Sequence, residues 1–192
     1  VGFFFVAYGA MVFVVSLMIR VHGLGVSRAG FVFGLVSALG AGAGNLMGGV
    51  VGDRLARRDI AAYSRVAGTA MILAMPCFLV AFAAPGLGLM VCALVAAMVL
   101  MWGSVPPTFA ALHAVCGSRR RAMAVAVVFL FANLIGLGLG PLITGALSDT
   151  FAATRGPGEG LRIAMMIVMT TFVPAGWLMI RSARDLKAEA ED

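Results

Sequence analysis

The residues able to do chemistry are few and stand between long apolar runs: 8 Asp or Glu and 14 Lys or Arg in 192 residues. Their densest grouping closes the stretch from Gly40 to Asp59, where a glycine-rich run gives way to Asp53, Arg54, Arg57, Arg58 and Asp59. There is no nucleophile elbow and no phosphate-binding glycine loop. Cys77, Cys92 and Cys116 lack metal-ligand spacing and read as small buried hydrophobes. An enzyme is therefore not expected, nor a metal or other cofactor. What the Asp-Arg cluster can do is electrostatic. Arg54, Arg57 and Arg58 can pair with anionic headgroups. Asp53, at a helix end, can accept hydrogen bonds from the N-terminus of a neighbouring helix.

The elements that carry these groups follow from hydropathy. The chain is 62% hydrophobic and only 11% charged, with a mean hydropathy of +1.06. A soluble domain carries about 25% charged residues, so this chain is too apolar to be enclosed by water. Six apolar segments are long enough to cross the hydrocarbon as helices. They are Val1–Ile19, Ala29–Val51, Ala61–Ala83, Leu87–Ala114, Ala122–Leu147 and Leu161–Ile180. The strict alternation of a membrane β-barrel is missing. The predicted fold class is an all-α membrane protein, a bundle of six transmembrane helices over residues 1–182 with a cytoplasmic tail over 183–192. Val1–Ile19 lacks the charged leader and cleavage site of a signal peptide, and the chain reads as a fragment that starts at a membrane span.

The basic residues divide unequally between the two ends of such a bundle. One end, with the second loop, the fourth loop and the tail, holds Arg54, Arg57, Arg58, Arg65, Arg119, Arg120, Arg121, Arg181, Arg184 and Lys187. The other holds Arg20, Arg28, Arg155 and Arg162. Cytoplasmic loops are enriched in Lys and Arg, so the first end, with the C-terminus, is expected in the cytoplasm of a cell of which this is an inner-membrane protein. The same distribution argues against nucleic acid as the partner of the formal charge of +6.

Within the second segment Gly40, Gly44, Gly48 and Gly52 recur every fourth residue, the spacing that lets helix backbones approach in lipid. Each step along such a row drifts about 40° around the helix, so neighbouring glycines are expected to share a face but the full set is not. Asn45, near the middle of that segment, is expected either to bond a neighbouring helix or to line a wet cavity. In the fifth segment Asn133, Gly136, Gly140 and Thr144 fall within about 80° of one another on a helical wheel, predicting a second small, slightly polar face. Pro76, Pro106-Pro107, Pro141 and Pro174 should loosen the helices that hold them. Asp149 is expected to cap a helix end or meet solvent, and His22 and His113 to lie at span ends. No Asp, Glu, Lys or Arg lies mid-span, so a proton-carrying carboxylate is expected outside this chain.

The run Gly49-Val-Val-Gly-Asp53-Arg54-Leu-Ala-Arg57-Arg58 resembles the loop motif G-x-x-x-D-R-x-G-R-R/K that joins the second and third helices of each half of major facilitator superfamily transporters. Ala56 stands where the motif has glycine. Ile19-Arg-Val-His-Gly-Leu24, Arg121-Ala-Met-Ala124 and the stretch from Asn133 to Asp149 resemble the Spinster-like branch, which includes sphingolipid and lysophospholipid transporters. The resemblance implies one half of a major facilitator fold, its seventh to twelfth helices, with the N-terminal six-helix half of the same full-length chain as partner. It implies a cytoplasmic gate at Gly49, Asp53, Arg54, Arg57 and Arg58, the rival reading being a topology anchor without a gate. It implies alternating access around a path lined by the first, second, fourth and fifth helices, with Tyr8, Ser16, Ser37, Asn45, Ser104, Thr108, Asn133 and Thr144 as candidate lining residues. The implied cargo is a small organic or lipid-like amphipathic solute. Alternatives are organic anions or sugars, and a non-transporting membrane scaffold or sensor.

Overall fold

The computed structural model describes residues 2–116 and 120–191, with side chains through Arg184. Arg119 and the side chain of Lys187, both counted on the basic end, lie outside what is described. Six helical spans run through Gly2–His22, Val26–Ala56, Ala62–Ala83, Leu87–Val115, Arg121–Arg155 and Pro157–Arg184, and among the described residues there is no strand. Each apolar segment read from the sequence lies within or close to one of these.

The helices outrun the apolar segments at their ends. The expected connection over 148–160 shrinks to Gly156, whose φ of 85° lies in the left-handed region that glycine enters at little cost. The connection over 20–28 shrinks in the same way to Gly23, Leu24 and Gly25, and Gly23 closes its helix with φ 65°. The second span continues past Gly52 to Ala56. Hydropathy marks the hydrocarbon, whereas backbone hydrogen bonding carries a helix on into the headgroup region.

Around the bundle the second span packs on the fourth, the fourth on the third, the third on the last part of the sixth, the first part of the sixth on the fifth, and the fifth on the first. Met90, Leu94, Met98 and Met101 make the buried stripe of the fourth span. Phe78 stacks on Phe82 and Phe172 with centroids 5.9 and 6.1 Å apart, joining the third and sixth spans.

The glycine row of the second span is buried along its whole length, which corrects the expectation that only neighbouring members share a face. A Cβ on Gly40 would overlap that of Met98, one on Gly44 would lie 2.6 Å from the Val99 carbonyl oxygen, and one on Gly48 would overlap the Gly103 carbonyl. Gly52 meets Pro107 and Tyr63. The row winds around its own axis, but an inclined partner follows it, as when ridges along i±4 pack together. Two further glycine crossings hold the bundle. Gly68 and Gly176 face each other's carbonyls between the third and sixth spans, and Gly9 and Gly140 meet between the first and fifth. Without a hydrophobic drive between helices in lipid, such close backbone contact supplies the attraction.

Three of the four proline sites disturb their helices where the ring meets the carbonyl four residues back. The fourth span breaks at Ser104 ahead of Pro106-Pro107, and the sixth at Thr170-Thr171 ahead of Pro174. The fifth widens into a π-helix over Ala132–Leu139 ahead of Pro141. Pro76 sits inside an unbroken α-helix. The first span breaks at Val12-Phe13 without a proline, the Phe13 N–H turning to the Ala10 carbonyl at 3.0 Å.

Candidate functional site

Two apolar cavities meet at Phe3 and Phe4 of the first span. One, of about 350 Å³, lies between the first, second and fourth spans; Tyr8, Ser37, Met101 and Trp102 line it. Tyr8 stacks on Phe4 at 6.0 Å, and Phe3 meets Trp102 edge-on at 6.1 Å. The Ser37 hydroxyl is buried at this cavity without a hydrogen-bond partner. The other cavity, of about 400 Å³, lies against the break in the fourth span and includes Ser104 and Thr108 among its walls.

Four of the eight candidate lining residues, Tyr8, Ser37, Ser104 and Thr108, thus stand at these two cavities. Thr144 and Asn45 turn inward to their own helices. The Asn45 amide donates to the Ala41 carbonyl at 2.8 Å and the Thr144 hydroxyl to that of Gly140 at 2.9 Å. For Asn45 the bond goes to its own helix, where the sequence leaves a neighbouring helix or a wet cavity as alternatives. The i−4 carbonyl is the nearest acceptor where water is excluded, and short polar side chains take it. Thr108 does the same to the Ser104 carbonyl, and Ser104 donates to the i−3 carbonyl of Met101, both at 2.7 Å.

Asn133 leaves the face predicted for the fifth span. Its amide donates to the Phe129 carbonyl at 2.8 Å and the residue is exposed, while Gly136, Gly140 and Thr144 are buried. The π-helix accounts for this: Asn133 and Gly136 both lie within it, and its wider turn swings Asn133 off the face that Gly136 shares with Gly140 and Thr144. Ser16 is half-buried in the part of the first span that follows its break. Asp149 is exposed, as expected, beside buried Ser148.

At the basic end, Asp53 finds a side chain rather than a helix terminus. The Tyr63 hydroxyl, one residue into the third span, donates to Asp53 Oδ1 at 3.0 Å. Asp59 orders the turn: its Oδ1 accepts from the Ala61 N–H at 3.0 Å, and it pairs with Arg65. Arg54, Arg57 and Arg58 are exposed. Ala56, in place of the motif's glycine, is the last residue of the helix and, like every other described non-glycine residue, has no positive φ, so the backbone there requires no glycine. Gly49 has an ordinary contact with Pro106, 3.9 Å from where a Cβ would lie.

Sequence reasoning missed Phe3, Phe4 and Trp102 as cavity walls, and the glycines Gly9, Gly68, Gly103 and Gly176. An isolated glycine within an apolar run was the available signal for the latter.

The comparisons decide the architecture. The crystal structure of a bacterial homolog of the human lysosomal transporter Spinster, inward-facing and unoccupied, superposes with a TM-score of 0.85 at 26% identity, covering 98% of this chain and 47% of that one. This chain is one half of a major facilitator fold. The occupied, inward-facing form of that homolog gives a TM-score of 0.78 at 24% identity, covering 98% of this chain and 48% of the other. An MFS-type efflux pump of Mycolicibacterium smegmatis is 27% identical over 188 residues, 95% of this chain and 43% of the pump. No family model matches the chain. The major facilitator half is thus a multi-pass membrane protein, similar to transporters, and it spans about half the length of the relatives it matches.

Proposed function

We propose that this chain is the C-terminal half, helices seven to twelve, of a secondary transporter that moves a small organic or lipid-like amphipathic solute by alternating access. The observation that carries the reading is the cavity between the first, second and fourth spans. Its walls are almost wholly apolar, and the side chains among them with polar groups are Tyr8, Trp102 and Ser37, whose hydroxyl is unpartnered. An amphipathic solute leaves its apolar part against such walls and offers a polar group to the hydroxyls. A sugar, which needs a hydrogen-bond partner for nearly every oxygen, fits them poorly.

The partner is the N-terminal six-helix half. The second and fifth spans are the least enclosed of the six. On the second span Gly30, Gly34 and Gly42 each open onto empty space, a second small-residue row for a helix of the other half to approach. In this reading the Asp53–Tyr63 corner, with Arg54, Arg57 and Arg58, forms the inner gate on the cytoplasmic side, in a bacterial inner membrane.

Flux of lysophospholipids, fatty acids and sugars in liposomes holding the full-length protein tests the reading. Uptake of an amphiphile that is reduced at least tenfold by Ser37→Phe supports it. Folded protein that moves none of these solutes favours the scaffold reading.

A further inference from the structure

The 400 Å³ cavity at the break in the fourth span also reaches helices outside the solute path. Met71 of the third span and Ala175, Leu178, Met179 and Ser182 of the sixth stand in its walls. Its surface is overwhelmingly apolar, and Leu178, 59% exposed, stands at its edge. A surface recess lined by Leu178, Arg181, Ser182 and Arg184 shares Leu178 and Ser182 with this cavity. An apolar chamber and a two-arginine recess therefore adjoin along the sixth span, with Leu178 and Ser182 between them. The Arg181 guanidinium lies 5.1 Å from the centre of the Trp177 ring, which is 51% exposed. A tryptophan and arginines at a span end place this recess at the level of the lipid headgroups.

We propose that this face is a binding site for an anionic membrane lipid, beside the solute path and sharing with it the wall that carries Ser104 and Thr108. One acyl chain enters the cavity past Leu178, and the headgroup phosphate lies on Arg181 and Arg184. Charge complementarity and position both favour this occupant. The apolar volume is of the size that takes a ligand chain, the guanidiniums bind phosphate oxygens in pairs, and the leaflet on the basic side supplies anionic lipid. Ser104 and Val105 at the break, with Thr108 and Phe109 beyond it, form one wall of the chamber, so the bound chain stiffens the bend in the fourth span. The proposal does not depend on which solute is carried, or on transport.

The test is native mass spectrometry of the full-length protein titrated with phosphatidylglycerol and phosphatidylcholine, beside Arg181→Gln/Arg184→Gln and Leu178→Trp. Phosphatidylglycerol should be retained in preference. The double variant should weaken it roughly 30-fold, each basic group at an anionic surface being worth about a factor of five. Leu178→Trp, which closes the entrance from an exposed position, should weaken it while leaving the melting temperature unchanged. Oleate and lysophosphatidate, added alone, distinguish a carboxylate from a phosphate head, and preference for oleate over both phosphate lipids contradicts the proposal. Equal retention of both phospholipids, or phosphatidylglycerol retention unchanged in Leu178→Trp and in the folded double variant, overturns it. If the double variant does not fold, the Leu178→Trp result and the choice between headgroups decide.

Discussion

Gly48 of the second span lies against the carbonyl of Gly103 in the fourth so closely that a single methyl group would overlap it. One residue on, Gly49 would carry the same methyl in ordinary contact with Pro106. The two glycines are adjacent in sequence and opposite in consequence. Gly48→Ala should force the helices apart and cost about 1–3 kcal/mol or more, as overpacking does, whereas Gly49→Ala should change stability by less than about 1 kcal/mol. Thermal melting of each variant in detergent checks this; equal losses would contradict the packing of the second span on the fourth.

The Tyr63–Asp53 bond makes a second prediction. Tyr63→Phe removes the donor and should cost about 0.5–1.5 kcal/mol. Asp53→Asn keeps an acceptor for Tyr63 and should leave the fold intact, but it removes the charge on which the proposed gate relies and should shift the resting state toward inward-open. Cysteine labelling from the cytoplasmic side measures that shift. Unchanged labelling would leave Asp53 as a topology anchor.

Asn45 donates to its own helix, so Asn45→Leu should alter stability by less than about 1 kcal/mol. A loss of several kcal/mol in a melting experiment would mean that its amide holds another helix.

Gly34 opens onto empty space within this half. Gly34→Leu should leave the six-helix packing unchanged and instead impair joining to the N-terminal half. Co-purification of the two halves expressed as separate chains reads this directly; undiminished pairing would place the contact elsewhere.

The six spans were legible because burial in hydrocarbon selects composition over some 20 residues, a signal that local detail cannot erase. Gly40, Gly44, Gly48 and Gly52 were legible for a related reason: close backbone approach admits one residue type, and regular spacing reveals it. What stayed hidden depends on the partner surface. Gly68 and Gly176 are isolated in sequence, and only folding sets each against the other's carbonyl. Asn133 left its predicted face because a π-helix changed the period on which the wheel depends, and the break at Val12-Phe13 carries no proline to announce it. The cavity walls were legible in part. Tyr8, Ser37, Ser104 and Thr108 stand at cavities, but the aromatic walls Phe3, Phe4 and Trp102 look like any other apolar residue in a membrane span.

The central claim is that the cavity between the first, second and fourth spans lies on a path opening alternately to the two sides of the membrane. Ser37→Cys, placed in full-length protein whose Cys77, Cys92 and Cys116 have been replaced, reports on it when membrane-impermeant thiol reagents are applied to one side at a time. Alternating access predicts labelling from either side, with conditions that raise one lowering the other. An introduced thiol that reacts from neither side, or from both sides together without such an exchange, would contradict it.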